Sequence, residues 1–174
     1  VDPEPDLADN RGNDGKCDSH GRFWIGTMSM TRVQGTAALY CLDVDGKLRR
    51  ALGGTTTSNG LAWSADDRTM YFIDTPTLQV VAFDFDADRG ELSNGRTIIT
   101  FPQGIGRPDG MTIDVEGMLW IAHWEGFRVS RWNPHEGRLL DEVRLPVQRV
   151  TSCAFGGPNL DRLFITTARF GLSE

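Results

Sequence analysis

Four segments of the chain carry oxygen-bearing side chains at matching places: RGNDGKCD (residues 11–18), SNGLAWS (58–64), RPDGMTID (107–114) and TSCAFGG (151–157). Asp14, Asn59 and Asp109 each precede a glycine, and those glycines, Gly15, Gly60 and Gly110, stand 45 and 50 residues apart. Ser152 takes the corresponding place in the fourth segment. Amide and carboxylate oxygens gathered on one axis would form a hard-donor site suited to Ca²⁺, Mg²⁺, Mn²⁺ or, with fewer ligands, Zn²⁺. Each dipeptide taken singly is also ordinary turn chemistry. Repetition in register is what points to a site. We expect each segment to be a polar turn leading into an apolar strand.

The elements that would position these residues show in a second repeat. GRFWIGT (21–27), TMYFIDT (69–75), GMLWIAH (117–123) and DRLFITT (161–167) share a turn, an aromatic, an aliphatic and small polar residues. Their aromatic anchors Trp24, Phe72, Trp120 and Phe164 are 48, 48 and 44 residues apart. A third series, YCLDVDG, AFDFDADRG and RWNPHEG, ends alternating runs in Asp/Asn/Gly turns, which is hairpin chemistry. Apolar residues alternate at period two, as in Val81-Phe83-Phe85 and Val143-Leu145-Val147, and no run of ten residues holds a helical period. A unit of this length with about four short strands is a propeller blade. The fold class is therefore all-β, a partial β-propeller of somewhat under four blades, with residues 1–174 as a single domain whose amino-terminal and carboxy-terminal blades are expected to lie outside it. Inner strands of such blades line a central channel, so equivalent residues converge.

Composition narrows the partners. Eighteen Lys+Arg against 24 Asp+Glu give a formal charge of −6, with the basic residues scattered, which argues against nucleic acid. No apolar run approaches the roughly 20 residues of a membrane span. Cys17, Cys41 and Cys153 form no ligand or disulfide pattern, and read as three buried thiols in a reducing, cytoplasmic compartment; the amino end, where a signal peptide would lie, is expected to be missing. There is no GxSxG elbow and no HExxH. His20 and His135 fall in turns, while His123 follows the Trp120 strand and reads as structural, with a channel-facing position as its alternative. Trp124 and Phe127 suit either a wall above the site or blade packing.

The blocks RGNDGKCDSHGRFWIGTM (11–28), SNGLAWSADDRTMYFIDT (58–75), GRPDGMTIDVEGMLWIAHWEGFRVSRWNP (106–134) and LPVQRVTSCAFGG (145–157) together resemble, in order and spacing, the SMP-30/gluconolactonase/regucalcin-like family. The resemblance covers the chain from about Arg11 onward. It implies a six-bladed propeller holding one divalent cation, Ca²⁺ first with Zn²⁺, Mn²⁺ and Mg²⁺ as alternatives, and the hydrolysis of sugar lactones. It implies Asn59 and Asp109 as metal ligands, Asp109 also as general base, and Arg11 and Asn13 as substrate-binding residues. It prefers Asn13 to Asp14, which the glycine register had picked; Asp14 then caps its turn. The family's glutamate ligand belongs to an amino-terminal GEGP-type block absent here, and Ser29-Met30-Thr31 stands where some members carry an acidic substrate contact. Alternatives on the same fold are a non-catalytic calcium-binding regulatory propeller and a phosphotriester or aryl-ester hydrolase. The preferred lactone and the oligomeric state are not legible.

Overall fold

A computed structural model describes residues 2–171. Its fourteen strands are joined by tight turns, with a single turn of 3-10 helix at Thr75–Thr77 as the only helix among the described residues. The first blade is β1 (Asn10–Cys17), β2 (Phe23–Ser29), β3 (Ala37–Leu42) and β4 (Leu48–Thr55). The second is β5 (Ser58–Trp63), β6 (Thr69–Asp74), β7 (Gln79–Asp86) and β8 (Glu91–Thr100). The third is β9 (Arg107–Ile113), β10 (Leu119–Trp124), β11 (Arg128–Asn133) and β12 (Arg138–Arg144). β13 (Val150–Gly156) and β14 (Arg162–Thr167) form a two-stranded sheet. Each sheet is an antiparallel meander in chain order, so three blades and half of a fourth are present, as the repeats predict.

The innermost strands β1, β5, β9 and β13 neighbour one another in sequence around the channel side. Three apolar clusters fill the spaces between successive sheets. Trp24, Leu39 and Cys41 of the first blade meet Leu61, Trp63, Met70, Phe72 and Phe85 of the second. Ile73, Val80, Ile99 and Phe101 meet Met111, Leu119, Ile121 and Trp132 of the third, and Ala122 and Val129 meet Val150 and Cys153. The aromatic anchors explain their period here: Trp24 and Phe72 are buried between sheets, whereas Phe164 is 58% exposed because no described sheet packs on its far side.

A second repeated device closes blades one and three. Asp18 accepts from Trp24 Nε1 at 3.0 Å and Arg22 Nε at 2.7 Å, and Asp114 accepts from Trp120 Nε1 at 2.9 Å and Arg131 Nε at 2.7 Å. Both aspartates also take backbone N–H groups, from Arg22 and from Met118. These donors hold both carboxyls below the usual carboxylate range against the opposing effect of burial. Blade two has Ser64 in the same place, with its hydroxyl on the backbone N–H of Thr69.

Two expectations are corrected. Cys41 and Cys153 are buried, but Cys17, at the end of β1, is exposed. The four polar segments are not turns before strands; they are the inner strands themselves. His123 is structural, as read: it is fully buried, edge-on to Phe101, with Nε2 2.6 Å from Ser130 Oγ, and burial pushes its pKa down to about 4.

Two outcomes are expected. Asp18→Asn leaves the buried Arg22 guanidinium without its counter-charge and should cost roughly 3 kcal/mol or more, read as a lower Tm. His123 favours the proton far more in the unfolded chain, near the reference 6.5, than in the fold. Stability is therefore full above that value and falls as pH drops toward 4, by roughly 3 kcal/mol. The groups that act electrostatically on the ring are Arg128, which opposes its protonation, and Glu142, which favours it. His123→Phe should flatten that acid limb in denaturation measured across pH.

Candidate metal and substrate site

Each inner strand carries a β-bulge at the same place. On β1 the register with β2 slips between Gly12 and Gly15, leaving Asn13 and Asp14 in the bulge. On β5 it slips between Ser58 and Leu61, at Asn59 and Gly60. On β9 the partners step from Pro108 to Met111, leaving Asp109 and Gly110, and on β13 the slip falls at Thr151. A bulge re-aims the side chain it carries, and its recurrence on four strands sends four side chains toward one region. The register groups Asn13, Asn59, Asp109 and Thr151. Asp14 corresponds to Gly60 and Gly110, so the glycine alignment of the sequence was one residue out on β1, and Thr151 rather than Ser152 is the fourth member.

Gly60 and Gly110 follow the site residues because the next blade leaves no room for a side chain. A Cβ on Gly60 would lie 2.6 Å from Met111 Cβ and 2.8 Å from the carbonyl oxygen of Asp109. One on Gly110 would lie 2.6 Å from Ser152 Cβ and 2.8 Å from the carbonyl oxygen of Thr151.

Hydrogen bonds join the bulges from blade to blade. Asn13 Nδ2 donates to the Ser58 carbonyl at 3.0 Å. Asn59 Nδ2 donates to Thr75 Oγ1 at 3.0 Å, and that hydroxyl donates to the Pro108 carbonyl at 2.8 Å, immediately before Asp109. The Asn59 amide acts on the Asp109 carboxyl to favour its charged form. With Nδ2 turned to Thr75, Asn59 keeps Oδ1 as an acceptor to which no donor among the described residues is bonded. Lys16 crosses from β1 to the third blade, where Nζ donates to the Met111 carbonyl at 2.7 Å. Burial lowers the pKa of Lys16, and Asp14 opposes that shift. Neither Thr75 nor Lys16 stood out in the sequence, since a threonine after a strand and a lone lysine carry no spacing signal.

The electrostatics centre on two carboxylates. Burial raises the proton affinity of Asp109, to about 7, with the Asn59 amide opposing and the negative charge of Asp14 adding to the rise. Asp14 is raised by burial as well, although its Oδ1 accepts the backbone N–H of Gly15 at 2.8 Å. Half-buried carboxylates with raised proton affinity beside a free amide oxygen are what a divalent cation would relieve, and an all-oxygen donor set suits a hard ion. Among the described residues no group of three or more His, Cys, Asp or Glu side chains is arranged to hold a metal. Two carboxylates and two amides are the set available. Arg11 lies at the exposed rim, with Nη1 donating to the Gly12 carbonyl at 2.7 Å and Nε beside Met30 Sδ at 3.1 Å.

Residues 1–169 match the family model for the SMP-30/Gluconolactonase/LRE-like region. Regucalcin of Danio rerio is 46% identical over 169 residues, covering 96% of this chain and 57% of the relative. The crystal structure of a calcium-binding protein, regucalcin, from Agrobacterium tumefaciens superposes with a TM-score of 0.92 at 31% identity, over 98% of this chain and 58% of that one. A gluconolactonase of Xanthomonas campestris superposes with a TM-score of 0.76 at 27% identity, over 90% and 54%. The chain thus spans little more than half the length of these relatives. A match along nearly the whole sequence, together with the shared blade architecture, makes the chain a member of the SMP-30/gluconolactonase/LRE-like family.

Proposed function

We propose that the protein to which this chain belongs hydrolyses sugar lactones with a divalent cation held by Asn59 and Asp109, Ca²⁺ being the first choice and Zn²⁺, Mn²⁺ or Mg²⁺ the alternatives. The observation that carries this reading is the common bulge register of Asn13, Asn59 and Asp109 on three successive inner strands. The family model and the likeness to the Xanthomonas gluconolactonase support the substrate class. The Agrobacterium relative, described as calcium-binding, supports the metal.

When bound, the cation would polarise the lactone carbonyl and acidify a water molecule. Asp109 is the general base, its carboxylate taking the proton of the attacking water as the acyl–oxygen bond of the ring opens to an acid and an alcohol. The relay from the Asn59 amide through the Thr75 hydroxyl to the Pro108 carbonyl holds the backbone that carries this carboxylate. Arg11 and Asn13 bind the hydroxyls of the sugar, and such positioning contributes several kcal/mol of barrier reduction, to order of magnitude. Lys16 braces β1 against β9 under the carboxylates.

The test is acid release from glucono-, galactono- and xylonolactone by the full-length protein, with Ca²⁺, Mn²⁺ or Zn²⁺ and after chelation. Hydrolysis should need the metal. Asp109→Asn should lower kcat/KM by about a hundredfold or more, and Asn59→Ala should weaken metal binding in calorimetry. No acid release with any of the three metals would overturn the enzymatic reading. Calcium binding that persisted in that case would favour the regulatory alternative.

A further inference from the structure

Lysine is scarce in this chain: Lys16 and Lys47 are the only two, and every other Lys/Arg position is arginine. Lys47 stands in an exposed turn beside Asp45. Lys16 lies on the inner strand of the first blade, two residues past Asp14, and is half-buried. Its partner across the ladder is Trp24, whose side chain fills the gap toward the second blade. Opposed residues of an antiparallel pair share a face, so Lys16 leaves β1 on the side of the blades that follow. β1 neighbours β5, and β5 neighbours β9. The lysine passes β5 and ends on β9, where Nζ donates to the Met111 carbonyl at 2.7 Å. β9 is an edge strand of its sheet, so carbonyls on its outer side need donors from elsewhere.

Any donor could supply that hydrogen bond, but a charge at this place does more. Lys16 stands two residues past Asp14 on β1, and Met111 two past Asp109 on β9, so both ends of the link lie roughly 7 Å along the strands from a carboxylate-bearing position. Asp14 is electrostatically linked both ways. The Lys16 ammonium favours its ionised form, and its own negative charge raises the proton affinity of Asp109. Asp14 in turn favours the charged form of Lys16 against the effect of burial. Only one of the three ammonium N–H groups is bonded among the described residues, so the charge is not spent on a dedicated partner. Asn13, Asn59 and Thr75 are neutral. Two carboxylates and one ammonium therefore leave a single net negative charge where the carboxylates alone would leave two.

We infer that Lys16 is a built-in counter-charge of the channel: its ammonium offsets one of the Asp14 and Asp109 charges and so holds down the affinity of the site for a multivalent cation. The inference rests on the metal reading above and adds the residue that sets how tightly an ion is held. A brace and a counter-charge differ in sign when the lysine is removed. Loss of a brace loosens the site and weakens binding. Loss of a positive charge strengthens the binding of a cation, in proportion to the charge of the ion.

The experiment is calorimetry of the full-length protein with Ca²⁺ and with Tb³⁺, comparing the parent with Lys16→Met, Lys16→Gln and Lys16→Arg. Lys16→Met should bind Ca²⁺ about tenfold more tightly and Tb³⁺ about thirtyfold, since the Coulomb energy rises with ionic charge. Lys16→Gln, which keeps a donor without the charge, should follow Lys16→Met and carries the test where Lys16→Met does not fold. Lys16→Arg should stay within about threefold of the parent. Unchanged, weaker or charge-independent binding by the folded neutral variants overturns the inference and leaves the metal reading intact. If the parent binds neither ion, the metal reading fails by itself, and a double-mutant cycle of Lys16→Met with Asp14→Asn in thermal unfolding decides the counter-charge. Stability losses smaller together than in sum support it, and additive losses overturn it.

Discussion

The close approach of successive inner strands is the constraint on which the rest of this molecule depends. β5, β9 and β13 come so near one another that Gly60 and Gly110 have no space for a Cβ. At that spacing the sheets between them need a filling of large apolar groups, supplied by Trp24, Trp63 and Phe85 in one gap and by Phe101, Met111 and Trp132 in the next. The outward fan of strands follows from the same packing, since each meander can only widen away from the axis. The buried pair Asp18–Arg22 and the half-buried pair Asp114–Arg131 stand where tryptophan indoles need an acceptor.

The bulges convert this crowding into a site. A regular strand would alternate its side chains between channel and blade; one extra residue on each inner strand breaks the alternation and turns Asn13, Asn59, Asp109 and Thr151 to comparable positions. Backbone carbonyls freed nearby are taken by side chains of neighbouring blades, Asn13 on Ser58 and Thr75 on Pro108. The price of the convergence is electrostatic. Two carboxylates share a poorly solvated space, and burial raises the proton affinity of both. Lys16 supplies part of the positive charge that opposes this, beside Asp14.

Much of this was legible in the residues. Period alone gave the blades, because each blade must present an aromatic to the next sheet gap and a tight turn at each hairpin. The in-register Asn59 and Asp109 marked the channel for the same reason. The sequence misled where two readings share one composition: Asn-Gly and Asp-Gly suit turns and bulges alike, so the polar segments looked like loops when they are the inner strands. The glycine register misaligned β1 because there Asp14 occupies the place that Gly60 and Gly110 hold elsewhere. Phe164 carried the same local signal as Trp24 yet is exposed, since burial belongs to the neighbouring sheet and not to the residue.

What the sequence by itself determined is therefore the repeating unit, the all-β class and the family, all of which are written as local pattern. Tertiary structure decided which donor of each pair stands in register, and that Thr75 and Lys16 reach across to backbone carbonyls on either side of Asp109. Those facts depend on contacts between residues 16 to 95 positions apart in the chain. Such contacts exist only once the strands have packed about their axis, and no local pattern encodes them.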